Sequence, residues 1–228
     1  VDEVDGITGA TNIYKRRTPD DSQTTMAQQL PKRIKFVLDI SGSMYTYNRL
    51  DGRLTRVLQA LVMLMEALDG FEHKYEYSVV GHSGAASAVL LVPWGAPPAT
   101  RMDRLKLIRK MVTHSQTCKS GDHTLTATKR AVADVTAKAA DEYFVFLLSD
   151  ADFGRYDLTG RDLGNALTND PRVSAYALFI ASNFQAAEAI KEDLPPGRGF
   201  SCYDTSKLIS TLRDIFQASI VFSKHAAR

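Results

Sequence analysis

A chain of 228 residues with 44% hydrophobic and 24% charged side chains has an ordinary globular composition, enough for one domain with a single core, alone or with an appendage. A net charge of +2 is too small to argue for nucleic acid or an anionic membrane as a partner, and no apolar run approaches the roughly 20 residues that span a bilayer. Cys118 and Cys202 are far apart and form neither a CxxC pair nor a zinc spacing, so they read as free thiols of a reducing, intracellular compartment.

Residues 1–32 read as an extended, loosely packed arm, with Lys15, Arg16 and Arg17 as a solvated basic face. No targeting signal is visible, and Val1 in place of an initiator methionine reads as a processed form or a piece of a longer chain. From Arg33 the pattern becomes regular, and residues 33–228 read as one domain. RIKFVLDI is a buried strand of parallel type. The next segment has helical periodicity at Leu54, Val57, Leu58, Leu61, Met65 and Leu68, with Asp51 as the cap and Gly70 as the stop. KYEYSVVGHSG and SAVLLVPWG read as two strands joined closely enough for an antiparallel hairpin. Amphipathic helices follow in MDRLKLIRKMVTHS and HTLTATKRAVADVTAKAA, then the most apolar strand, EYFVFLLSD. A helix near Gly160 to Leu167, the strand RVSAYALFIAS, a short helix from Asn183 to Glu192, a short strand GFSCYD and a closing helix complete the chain. The alternation predicts an α/β, Rossmann-like doubly wound fold: a mostly parallel central sheet with one antiparallel edge strand and helices on both faces.

Functional interest centres on DISGS. Asp39, Ser41 and Ser43 stand at alternate positions just after the first strand, Asp150 stands at the end of the fourth, and Thr124 sits where a turn feeds a helix. Ligands of open α/β sheets bind beyond the carboxyl ends of the strands. Carboxylates and hydroxyls meeting there form an all-oxygen set, suited to a hard divalent ion, Mg²⁺, Mn²⁺ or Ca²⁺, rather than zinc or copper. Asp39 and Asp150 bring about −2 of charge, which roughly balances such an ion.

DISGS, GDHTLT and LLSD together resemble the metal-ion-dependent adhesion site of von Willebrand factor A domains, in order, strand context and spacing, from about Arg33 to Val221. The resemblance implies that Ser41 and Ser43 bind the ion directly and that Thr124 binds directly or through water. It implies that Asp39 and Asp150 act mostly through water, leaving a place for a carboxylate of a protein partner. The flanks IYKRRTPDD, RIKFVLDISGSMYTYNRLDGRL and YSVVGHSG narrow the resemblance to the A domain at the carboxyl end of a large mitochondrial ATPase of the AAA type. That implies mitochondrial residence, and a partner that is either another protein or another domain of the parent ATPase. No GxxxxGK[ST] phosphate loop is present, so the chain itself reads as a binding domain with no catalytic residues.

Two other functions fit parts of the pattern. A Mg²⁺-dependent phosphohydrolase also begins with an aspartate after its first strand, but needs a second acid two places on, where this chain has Ser41. A structural domain with a vestigial site is the other. Around the motif, Asp122 reads as a turn residue, His82 and Ser83 as loop or supporting residues, and His123 as an exposed helix start. Asp152 reads as a solvated loop residue or a supporter of the site, Tyr45 and Tyr47 as a rim, with core packing the competing reading for one of them, and Trp94 equally as an exposed contact or a plug over the sheet edge.

Overall fold

The computed structural model describes residues 28–118, 121–151, 158–180, 184–202 and 204–225, with residues 184, 205 and 217–225 described by backbone alone. Most of the expected arm, residues 1–27 with the basic cluster, and Asp152 lie outside the described residues. The chain order is β1 (Lys32–Asp39), α1 (Gly42–Thr46), α2 (Asn48–Asp51), α3 (Arg53–Leu68), β2 (Tyr75–Ser83), β3 (Ala86–Val92), α4 (Arg101–Thr117) and α5 (Thr124–Val135). There follow β4 (Tyr143–Ser149), α6 (Gly160–Leu167), β5 (Val173–Phe179), α7 (Phe184–Glu192), β6 (Gly199–Ser201) and α8 (Thr205–His225).

The six strands form one sheet in the order β3-β2-β1-β4-β5-β6. All neighbours are parallel except β2 and β3, the expected hairpin, which leaves β3 as the antiparallel edge. Side chains of a strand alternate between faces, so each buried strand serves two cores. Ile34, Phe36 and Leu38 of β1 and Phe144, Phe146 and Leu148 of β4 face α3, α4 and α8. Val37, Val145, Leu147, Ala175 and Ala177 face α5, α6 and α7. The aromatic stack of the first core is centred on Phe146, whose ring lies 5.6 Å from Phe36, 6.1 Å from Phe144 and 5.6 Å from Tyr176.

Two cations interrupt the apolar run of β1, and both are housed at its beginning. Arg33 pairs with Glu76 at 2.9 Å, and Lys35 reaches Asp134 at 2.6 Å and Ser78 at 3.0 Å. Trp94 covers them: its ring lies 3.8 Å from the Arg33 guanidinium and its Nε1 donates to Asp134. Trp94 is therefore a plug over charged strand residues rather than an exposed contact. At the same end of the sheet, Gln28 donates to the Lys74 carbonyl and the Gln29 and Leu30 amides donate to Asp141.

The helix expected after Asp51 has Gly52 as its N-cap, in the left-handed region at φ 67, while Asp51 accepts the Arg53 amide from one step further back. The segment after β1 winds into two short helices, α1 and α2, that the sequence pattern did not announce. Such short helices carry no usable periodicity, and α1 is held by Met44, which is fully buried in the first core.

The core geometry sets a scale. Phe146→Ala should lower unfolding free energy by about 3–5 kcal/mol in urea denaturation, whereas Leu50→Ala, at an 83% exposed position, should change it by less than about 0.5 kcal/mol.

Candidate functional site

Parallel pairing decides where the site forms. Asp39 ends β1 in register with His82 of β2, and Asp150 follows the last residue of β4, so these residues share the carboxyl edge of the sheet. The Asp39 carboxylate accepts the Ser41 amide at 2.9 Å, which turns the chain as it leaves the strand. Ser41 then stands at the N-cap of α1, yet its hydroxyl makes no capping bond and lies 2.8 Å from the Ser43 hydroxyl. The two hydroxyls expected to converge do so, and neither is used up on the helix terminus. Gly81 makes room behind them: a Cβ there would stand 2.3 Å from Ile40 Cδ1.

Thr124 is the first residue of α5 and is 1% exposed. Its amide donates to Asp122 Oδ1 at 2.7 Å, its hydroxyl donates to the same oxygen, and its Oγ1 lies 3.4 Å from His82 Nε2. The segment before it is pressed against the hairpin turn, because a Cβ at Gly121 would stand 2.5 Å from the Gly84 Cα. Asp150 pairs with Arg53 at 2.5 Å, and Arg53 also holds Asp51 at 2.6 Å. The Tyr47 ring lies 5.1 Å from that guanidinium, so Tyr47 supports Arg53, while Tyr45 remains 40% exposed on α1. Ala151, directly after Asp150, adopts φ 61, a left-handed conformation unusual for a side-chain-bearing residue.

The electrostatics join these segments into one environment. Burial pushes the Asp39 carboxyl up to about 6; the Ser41 hydrogen bonds oppose the rise, Asp122 adds to it and Arg53 opposes it. Burial lowers His82 to about 4, against the pull of Asp122 and Asp150, so His82 stays neutral near pH 7. Two buried polar atoms without a hydrogen-bond partner among the described residues, His82 Nδ1 and Asp122 Oδ2, belong to this cluster. No group of three or more His, Cys, Asp or Glu side chains poised for a metal occurs among the described residues, so any ion would rely on hydroxyls as well as carboxylates.

Sequence reasoning missed Arg53, whose partner Asp150 lies 97 residues away, whereas Asp122 is the turn residue it was read as, its Oδ1 accepting the Thr124 amide. It also missed the partner of Ser83. Ser83 meets His114 of α4 at 3.0 Å rather than its neighbour His82. With Ser83 fully buried, the pair ties β2 to α4 and offers no exposed nucleophile. Cys118 lies 3.5 Å from the Ile40 carbonyl, and burial raises its thiol pKa, as burial raises Cys202 to about 11. A groove of about 450 Å³ between β3, the proline-rich turn and α4 is remote from these groups.

The two buried titrations have opposite consequences for stability. Asp39 holds its proton more tightly folded (about 6) than unfolded (3.8), so its contribution is full below that lower value and is lost as pH rises through 6. His82, lowered from 6.5 to about 4, contributes stability that is full above 6.5 and is lost as pH falls through 4. The two offset each other between about pH 4 and 6. Asp39→Asn should therefore gain about 1.4 kcal/mol of stability per pH unit relative to wild type over that interval, in urea titrations with EDTA. Parallel pH profiles for variant and wild type would refute it.

No protein-family model matches the chain. Over 220 residues, 96% of the chain, it is 43% identical to von Willebrand factor A domain-containing protein 8 of Mus musculus, of whose length it spans 12%. Among solved structures, the vWF domain of the type V pili tip protein Mfa5 from Porphyromonas gingivalis superposes with a TM-score of 0.56 at 11% identity, covering 84% of this chain and 96% of that one. The BatB protein from Bacteroides thetaiotaomicron gives 0.57 at 13% identity over 82% and 98% of the two chains. Manganese-loaded TRAP protein from Plasmodium vivax gives 0.54 at 13% identity over 81% and 73%. These structural likenesses establish the fold, and the longer-range identity supplies the kinship. The chain belongs to the von Willebrand factor A domains and is related to that of von Willebrand factor A domain-containing protein 8.

Proposed function

We propose that this domain binds a divalent cation, Mg²⁺ or in its place Mn²⁺ or Ca²⁺, through Asp39, Ser41, Ser43, Thr124 and Asp150, and through it a carboxylate of a protein partner. On this reading the domain is an interaction module and not itself an enzyme. The observation that carries the reading is a surplus of buried acid. Asp39 and Asp150 are 6% and 7% exposed; Arg53 is shared by Asp150 and Asp51, and Asp39 has no ion pair among the described residues. An uncompensated buried carboxylate is costly, and the groups around this one are oxygen donors. That a fold neighbour is manganese-loaded agrees with the donor set.

A bound divalent ion supplies a Lewis-acidic point at which an acidic side chain is held by charge. The chain's own residues do the remaining work. Asp39 fixes the turn that brings Ser41 and Ser43 together, and Asp122 fixes the Thr124 hydroxyl. Tyr45 and the 83% exposed Leu50 follow the hydroxyls in α1 and α2 and offer apolar contact to residues flanking a partner's acid. In a longer protein the domain would serve as the partner-reading arm of a mitochondrial AAA-type ATPase, its acid coming from a separate protein or from another domain of the parent.

Calorimetric titration of metal-free protein with Mg²⁺ and Mn²⁺ should show one saturable site, weakened at least about tenfold in Asp39→Ala. Silence of the wild type with both ions, with acetate present to complete the coordination, would sink the proposal in favour of a scaffold domain.

A further inference from the structure

We propose that Arg53 is a built-in rival of the divalent cation: its guanidinium and the ion compete for the Asp150 carboxylate, so the ion binds by taking Asp150 from Arg53 and leaving Arg53 to Asp51. The inference rests on the metal-binding reading above and adds the residue that sets how readily that site fills.

The guanidinium has two sides, and each holds a different acid. Its Nη1 donates to Asp150 Oδ2 at 2.5 Å, while its Nε and Nη2 reach Asp51 Oδ2 at 2.8 and 2.6 Å. The side chains of Arg53, Asp150 and Asp51 are only 12%, 4% and 9% exposed, so water and salt screen these charges little. Two carboxylates thus share one cation, and losing one of them would not orphan it. Asp51 holds the guanidinium through two nitrogens and also accepts the Arg53 amide at 3.0 Å, and the Tyr47 ring lies 5.1 Å away. The left-handed Gly52, at φ 67, joins α2 directly to α3, so this clasp is local to the helix junction and independent of the sheet edge. Asp150, by contrast, arrives from the end of β4 among the oxygen donors offered to the ion. An ion at those donors would set a double positive charge against a guanidinium bonded to the same acid, and like charges in a largely dry site repel strongly. Burial raises the proton affinity of Asp39 and Arg53 opposes the rise, so the charge of Arg53 is felt at both acids of the site. The ion and the Arg53–Asp150 pair are therefore alternatives, and each weakens the other by the same factor.

The test is Arg53→Gln, which removes the charge and keeps a polar side chain. Arg49→Gln, at an exposed position of α2, controls for the loss of one positive charge. Mn²⁺ titration by calorimetry and thermal melting in EDTA are read together on wild type and both variants. The expected result for Arg53→Gln is Mn²⁺ affinity at least about fivefold tighter than wild type, with a melting temperature in EDTA below wild type. Arg49→Gln should keep wild-type values of both. The opposite signs separate a rival from a brace, since loss of a brace for Asp150 would lower affinity and stability together. Mn²⁺ affinity in Arg53→Gln equal to or weaker than wild type, or an equal gain in Arg49→Gln, would overturn the rivalry and leave the metal site standing. No Mn²⁺ binding by the wild type would overturn the metal reading and this inference with it. If Arg53→Gln does not fold, Asp51→Asn hands the guanidinium to Asp150 alone. Mn²⁺ affinity should then fall at least about fivefold, and unchanged or tighter affinity would overturn the proposal.

Discussion

Parallel pairing of β1 with β2 on one side and β4 on the other is the constraint on which the site depends. Because β1 and β4 run the same way and lie side by side, their last residues reach the same edge of the sheet, and whatever the chain carries there is pooled. Asp39 and Asp150, 111 positions apart in the sequence as numbered, become near neighbours by this means alone. The two-sided burial that stabilises the parallel sheet also makes the edge expensive for charge, since the strands deliver their carboxylates directly from a dry interior.

Two ends of the same sheet deal with buried charge in different ways. At the beginning of β1, Arg33 and Lys35 are matched by Glu76, Asp134 and the face of Trp94, so charge is settled within the protein. At the carboxyl edge the acids outnumber the cations, and Asp39 retains a raised affinity for a proton as a result of burial, with Asp122 contributing. Stability selects the first arrangement. The second is unfavourable by itself and is the arrangement that the proposed cation would complete.

Much of this was legible in the sequence, because the strands are strongly apolar and end in oxygen-bearing residues. RIKFVLDI and EYFVFLLSD announced both a parallel core and the two carboxylates at its edge, and the close spacing of β2 and β3 announced the hairpin. The region after Ser43 was opaque: α1 and α2 are too short to show a period, and their burial depends on Met44 meeting a core assembled from distant strands. Arg53 was missed for a related reason. A lone arginine at a helix start resembles any surface charge until a tertiary contact brings Asp150 to it, whereas the Gly-Asp pair was legible as the turn that it forms.

The touching backbones of Gly84 and Gly121 have a dynamic consequence. With no side chain between them, the turn of the β2–β3 hairpin and the segment leading into Thr124 have no cushion that could absorb a displacement of one without the other. Outward motion of the threonine segment must therefore carry the hairpin turn along or part the two main chains altogether. Opening of that contact would therefore involve both segments at once, so the two sides share one local opening event rather than two independent ones.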